Sequence, residues 1–232
     1  PKAVYADRLG ARGDGTTDDT AALQAAIDRV QETVGQGIVF VPPGRYRLTD
    51  TLNVWPSIRL IGYGPSRPVF LLGPHTPGYQ DPDHERQLVF FAGSRPRPAA
   101  PGEPAVPARP PDANPGTFYS ALVNVDLEIG DGNAGAVGVR GTYAQHCFLA
   151  HVEIRAGSGL AGIHDTGNLL EDVTILGGRY GLWTRTPSPG WPLTAVDVRF
   201  EGQREAAVRE TAAGLTLIRP RFRRIPAAII IN

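Results

Sequence analysis

Asn124-Val125-Asp126-Leu127 is followed by His151-Val152-Glu153-Ile154, Asp172-Val173-Thr174-Ile175 and Asp197-Val198-Arg199-Phe200, with a degenerate fifth copy at Arg219-Pro220-Arg221-Phe222. The first four share one pattern: polar, Val, variable, apolar. A second ladder runs between them: Gly138-Val139-Arg140, Gly162-Ile163-His164, Gly181-Leu182-Trp183, Ala207-Val208-Arg209 and Ala228-Ile229-Ile230. The ladders alternate across 118–232, each recurring at an average of roughly 23 residues, where a fixed period signals a solenoid. Each segment is short and alternates apolar with polar, as a strand with one buried face does. Two such strands per repeat, joined by Gly-rich corners, leave no room for a crossover helix. Each strand must therefore lie parallel to its counterpart one turn later. The expected fold is all-β, a right-handed parallel β-helix. Val125, Val152, Val173 and Val198 are expected to stack inside, as are Val139, Ile163, Leu182 and Val208.

Working outward, the 232 residues suffice for a single β-helix domain over 1–232. Glycine at 28 and proline at 22 suit many tight corners. The formal net charge is zero, from 23 basic and 23 acidic side chains. That balance supplies no positive field for nucleic acid, so no nucleic-acid partner is expected. No apolar run approaches the 18 or so residues of a membrane span, so no membrane partner is expected either. The single cysteine, Cys147, excludes an internal disulfide framework and reads as a buried thiol just before a strand. The chain has no Met and begins at Pro1, so an N-terminal segment is expected to have been removed or left out. The apolar strand at 227–232 carries no polar cap, so a longer natural chain is expected.

Toward the N-terminus, 13–19 reads as a turn into a helix, with Thr17 or Asp18 accepting from free backbone N–H groups. Leu23, Ala26, Ile27 and Val30 fall at helical spacing, and this capping helix is expected to plug the open end of the core. The acidic turn lacks the Glu at position 12 of an EF-hand loop, which disfavours calcium. Asp81, Asp83, His84 and Glu85 lie close together but match no ligand spacing, so a solvated loop is expected there. No metal or other cofactor is expected. The stretch 95–116 holds eight prolines and is expected to be an extended surface loop.

The phrase Leu9-Gly10-Ala11-Arg12-Gly13-Asp14-Gly15-Thr16-Thr17-Asp18-Asp19-Thr20, with Ala25-Ala26-Ile27 and Val39-Phe40-Val41-Pro42-Pro43-Gly44, resembles the opening of the pectate-lyase-like β-helix superfamily. Phe118-Tyr119, Ala144-Gln145 and Gly177-Gly178-Arg179-Tyr180-Gly181 are similar to the first lobe of glycoside hydrolase family 55. That resemblance implies one lobe of a secreted two-lobe exo-β-1,3-glucanase, with a second β-helix lobe of the same chain as partner and a polysaccharide as substrate. It also implies that Gln145 helps hold the attacking water. The corner one coil on reads Asp165-Thr166-Gly167-Asn168, where the family offers a Ser.

The residues themselves nominate a binding row and a carboxylate pair. Arg140, His164, Trp183 and Arg209 each follow an inward position and should form one outward row, suited to sugar stacking and hydroxyl recognition. Asp165 and Glu210 sit just past equivalent strands, two repeats apart, at roughly 10 Å. That is at or beyond the limit for an inverting glycosidase pair. Arg219, Arg221, Arg223 and Arg224 are expected to meet acidic groups of a neighbouring lobe, or water. A pectate-type lyase and a non-catalytic glycan-binding or tailspike-like scaffold stand as alternatives to the hydrolase.

Overall fold

The computed structural model describes residues 2–96, 109–113, 116–185, 193–211 and 214–231. Apart from one isolated antiparallel bridge, every strand pairs in parallel with its counterpart one coil away, and the result is a right-handed parallel β-helix. Each coil has three strands where the repeat pattern predicted two. The first face stacks Ala3–Tyr5, Gly37–Val41, Ile58–Gly62 and Ala121–Val123, then the opening halves of Phe148–Gly157 and Leu169–Gly177, then Leu193–Val196 and Leu215–Ile218. The closing halves of those two long strands join the second face, between Asp126–Ile129 and Arg199–Glu201. The third face is a separate sheet of Leu52–Val54, Arg86–Phe91, Ala136–Gly141, Ala161–Thr166, Tyr180–Thr184, Ala206–Glu210 and Ala227–Ile231.

The polar residue that opens each copy of the first ladder is the bend between the first two faces. Asn124, His151, Asp172, Asp197 and Arg219 all have φ between 50° and 56°. The left-handed region costs an ordinary L residue about 1–2 kcal/mol, and Asn and Asp tolerate it best. The Val that follows then turns inward. Val125, Val152, Val173 and Val198 are all buried, as are Val139, Ile163, Leu182 and Val208, and all eight belong to one core cluster. The registers Val152↔Val173 and Val139↔Ile163↔Leu182↔Val208 confirm the predicted stacks. Gly138, Gly162 and Gly181, which open three of the five second-ladder copies, sit in close approach to the neighbouring coil. A Cβ on Gly162 would stand 2.5 Å from Ile175 and 3.0 Å from the Gly181 carbonyl.

The helix α1, Thr20–Val34, buries Leu23, Ala26, Ile27 and Val30 against the N-terminal end of the core, as its spacing predicted. The segment before it differs from expectation. Asp14–Asp18 is a short strand paired with Arg45–Leu48 rather than a turn. Asp18 does accept from the Thr20 N–H at 3.0 Å. The buried Asp19 carboxylate turns back to the N–H groups of Arg12 and Gly13, at 2.7 and 3.0 Å. Gly13 (φ 62°) is held there under the Tyr46 ring, which a Cβ would approach to 2.8 Å. The Gly-Asp-Gly and Pro-Pro-Gly phrases thus serve one architectural joint at the start of the solenoid.

Cys147 is buried, with its thiol pushed up to about 11, chiefly by burial. The predicted loop at 95–116 falls mostly outside the described residues; within it, Asp112 bridges to Ala92. Among the C-terminal arginines, Arg219 grips Asp197 with two hydrogen bonds (2.7 and 2.6 Å), and Arg224 bonds Glu201, as does Arg199. These contacts lie within the chain. No helix is long and apolar enough to cross a membrane among the described residues.

Two substitutions at neighbouring positions separate the bend from the stack. Asp172→Val should destabilise the fold by about 1–2 kcal/mol through left-handed strain, whereas Asp172→Gly should be nearly neutral. Val173→Ala should cost about 1–3 kcal/mol through lost burial and a cavity. Urea denaturation of the three variants checks both expectations.

Candidate functional site: the outer side of the third face

Parallel register places one residue per coil at each outward position. Asn53, Phe90, Arg140, His164, Trp183 and Arg209 form a single row along the third face. The four residues predicted from the second ladder are therefore in line. Their side chains are not presented as an open platform. His164 is fully buried and stacks on Trp183 with ring centroids 4.4 Å apart and planes 6° from parallel. The Arg209 and Arg185 guanidiniums also lie over the Trp183 ring, at 4.9 and 5.0 Å. Arg209 further donates to the Tyr180 hydroxyl at 3.0 Å. Trp183 is therefore half-buried, with an imidazole and two guanidiniums against its π surface. The sequence pattern could place the ring on the outside but could not show what would gather on it.

Beyond His164 lies a knot of charge. Arg140 donates twice to Asp112, at 2.8 and 2.9 Å, which ties the segment 109–113 to the sheet. Its Nη1 stands 3.2 Å from Glu85 and 3.3 Å from Asp165. His164 Nδ1 is 2.7 Å from Glu85 and Nε2 is 3.3 Å from Asp165; neither contact is aligned with a ring N–H direction. Asp165 also accepts from the Arg185 N–H at 2.6 Å. Burial alone would raise the Glu85 pKa, but His164, Arg140 and Arg185 together hold it below its ordinary range. Arg140 is pushed the other way: burial lowers its pKa, and Asp112, Asp165 and Glu85 more than compensate.

Asp165, which follows His164, is buried in the knot, and Glu210 aligns with Thr184, which follows Trp183, so two coils separate the carboxylates, the spacing read from the repeats. Gln145 sits at the corner after Ala136–Gly141, and its Oε1 is buried without a hydrogen-bond partner. Glu85 is the member that sequence reading passed over. Assigned to a solvated acidic loop, it instead begins to turn inward where Asp81 and His84 stay out, one residue before the strand Arg86–Phe91. Its only sequence signal is that position at a strand edge.

Alongside the knot is a cleft of about 410 Å³. Its floor includes Asn53 and Phe90, and its walls carry Asp50, Arg86, Glu85, Asp112, Arg109 and Arg140. The charges balance, three carboxylates against three guanidiniums, and two of the pairs are direct contacts, Arg86 with Asp50 and Arg140 with Asp112. On the second face burial raises the Asp126 pKa, outweighing its bonds to the Glu153 N–H and Arg67.

Two measurements test this arrangement. Trp183→Ala should cost about 2–4 kcal/mol by opening the packed ring site, read as a lowered melting temperature. The second concerns pH. The folded pKa of Glu85 lies below its unfolded value, so its contacts stabilise the fold fully above the ordinary glutamate pKa of about 4.3. That contribution disappears as pH falls through the lower folded value. Glu85→Gln should therefore reduce stability at pH 7 and flatten its decline below about pH 4, as followed by urea midpoints.

Known proteins share parts of this design. Mannuronan C5-epimerase AlgE2 of Azotobacter vinelandii is 39% identical over 71 residues, covering 28% of this chain and 7% of that protein. A glucan 1,3-beta-glucosidase of Cochliobolus carbonum is 41% identical over 59 residues, covering 25% of this chain and 7% of that protein. The chain thus matches less than a tenth of the length of either curated relative. PfbA, a surface adhesin of Streptococcus pneumoniae, has the same fold with a TM-score of 0.59 at 14% identity, over 95% of this chain and 61% of that one. The predicted pectate-lyase-like resemblance extends over nearly the whole solenoid: the profile of the family described as rhamnogalacturonase A/epimerase, pectate lyase-like, matches residues 4–217, and the chain belongs to that family.

Proposed function

We propose that this chain is the carbohydrate-holding lobe of a secreted glycoside hydrolase acting on β-1,3-glucan-type polysaccharide. The observation that carries the reading is the cleft on the third face. It combines an aromatic side chain, Phe90, with amide, hydroxyl and charged groups at Asn53, Thr51, Gln87 and Arg109. Sugar recognition uses such a mixture, an apolar surface for a pyranose face and fixed polar groups for its hydroxyls. The charge balance chooses among substrates. A uronate polymer would call for guanidiniums free to meet its carboxylates, whereas two of the cleft's three, Arg86 and Arg140, are already paired. Within the family, names of relatives include both mannuronan epimerases and glucan glucosidases. Paired arginines favour the neutral glucan.

The lobe's part in catalysis is positioning. A glycosidase acid needs a raised pKa, and Glu85, the most enclosed carboxylate of the cleft wall, is held low instead. The general acid is therefore assigned to a partner lobe, as in the two-lobe enzymes that the sequence resembles. Gln145, with its unpartnered buried oxygen, is suited to accept from a water but does not line this cleft. The low Glu85 pKa also favours a second reading, a non-catalytic glycan-binding module.

Laminarin supplies the test. The purified 232-residue chain should retard in affinity electrophoresis through laminarin and release no reducing ends from it. Turnover by this chain alone, abolished by Asp165→Asn or Glu210→Gln, would refute the assignment of the acid to another lobe. Absence of retardation would refute the glucan reading.

A further inference from the structure

Glu85 stands where the cleft meets the buried charge knot, and its nearest polar contacts converge on one oxygen. Oε1 is 2.7 Å from His164 Nδ1, 3.2 Å from Arg140 Nη1, 3.3 Å from Gln87 Nε2 and 3.8 Å from Arg185 Nη2. Oε2 takes part in none of these contacts, and the residue lines the cleft. With one oxygen fixed from four directions, the other is held in place before any ligand arrives, so little side-chain entropy is lost on binding.

We propose that Glu85 Oε2 is the specificity-determining acceptor of the cleft, taking a hydrogen bond from a hydroxyl of a neutral glycan and rejecting polymers whose sugars carry carboxylates. The proposal rests on the reading of the cleft as a glycan site and deepens it by naming the residue that selects the substrate class. A hydroxyl donating to an ionised carboxylate makes a short, charge-assisted bond. A uronate carboxylate in the same place would meet a like charge, and two of the three cleft cations able to relieve the repulsion, Arg86 and Arg140, already serve Asp50 and Asp112.

The surroundings extend this discrimination along a polymer. A second hollow of about 390 Å³ shares Asp50, Thr51 and Asn53 with the cleft and reaches Gln24 on α1. Together they form a trough that crosses successive coils, spaced about 4.8 Å apart. Asp50 lies where the two hollows meet and Asp18 lines the far part, so negative groups recur along it. Each would favour hydroxyl donors over carboxylates.

The test compares wild type with Glu85→Gln and Glu85→Asp by affinity electrophoresis through laminarin and through polygalacturonate. Gln keeps the shape and removes the charge; Asp keeps the charge near His164 and withdraws the second oxygen from the cleft. Wild type should prefer laminarin. Each variant should lose about tenfold in laminarin affinity, the loss expected for one charge-assisted hydrogen bond, and Glu85→Gln should gain retardation by polygalacturonate. Near-UV circular dichroism on each variant establishes that it is folded, and Glu85→Asp serves if Glu85→Gln does not fold. Folded variants that bind laminarin like wild type would overturn the role of Glu85 alone. Wild type that prefers polygalacturonate would overturn both this role and the neutral-glucan reading beneath it.

Discussion

The left-handed bend between the first and second faces is the constraint on which the rest of the solenoid depends. Every coil from Asn124 onward passes through it, and each time a residue with φ near 50° swings the following apolar side chain inward. Parallel strands then bring like positions into register, so one inward Val sits on the next. Because the bend consumes one residue and reverses nothing, the same phase carries through to the second face and on to the third. An error at one bend would move a whole strand's side chains to the wrong side, since strand alternation has a period of two.

Register has a second consequence on the outside. It lines up one side chain per coil, and on the third face these are an aromatic ring, an imidazole and several guanidiniums at a spacing that permits stacking. His164, Trp183 and Arg209 satisfy one another in this way. The same stacking leaves His164 buried and Trp183 and Arg209 half-buried. What is left accessible lies nearer the N-terminal end, where Asn53 and Phe90 occupy the row and the cleft opens. Burial of Glu85 and Asp165 around His164 and Arg140 costs desolvation, and the multiple contacts offset it. The outcome is a charge-balanced wall in which the Glu85 pKa is held low.

Legibility followed the reach of the interactions. The capping helix was readable because its apolar spacing is local, and the two buried ladders because each inward position repeats. The first-face strands were not, since Phe148-Leu149-Ala150 and Leu169-Leu170 run straight into the bend without the polar alternation that announces a separate strand. The turn expected at Asp14–Asp18 became a strand because Arg45–Leu48, far along the sequence, offered it a parallel edge.

The sequence by itself determined the solenoid, its core stacks and the outward row, because all three follow from a period and from the side-chain alternation of a strand. Tertiary structure alone decided which outward residues a ligand can meet. Glu85 and His164 are 79 positions apart, and no local pattern connects them. Their contact arises from parallel stacking of coils, which joins Arg86–Phe91 to Ala136–Gly141 and that strand to Ala161–Thr166. Charge, burial and pKa at the site depend on such distant neighbours, and they exist only once the coils are stacked.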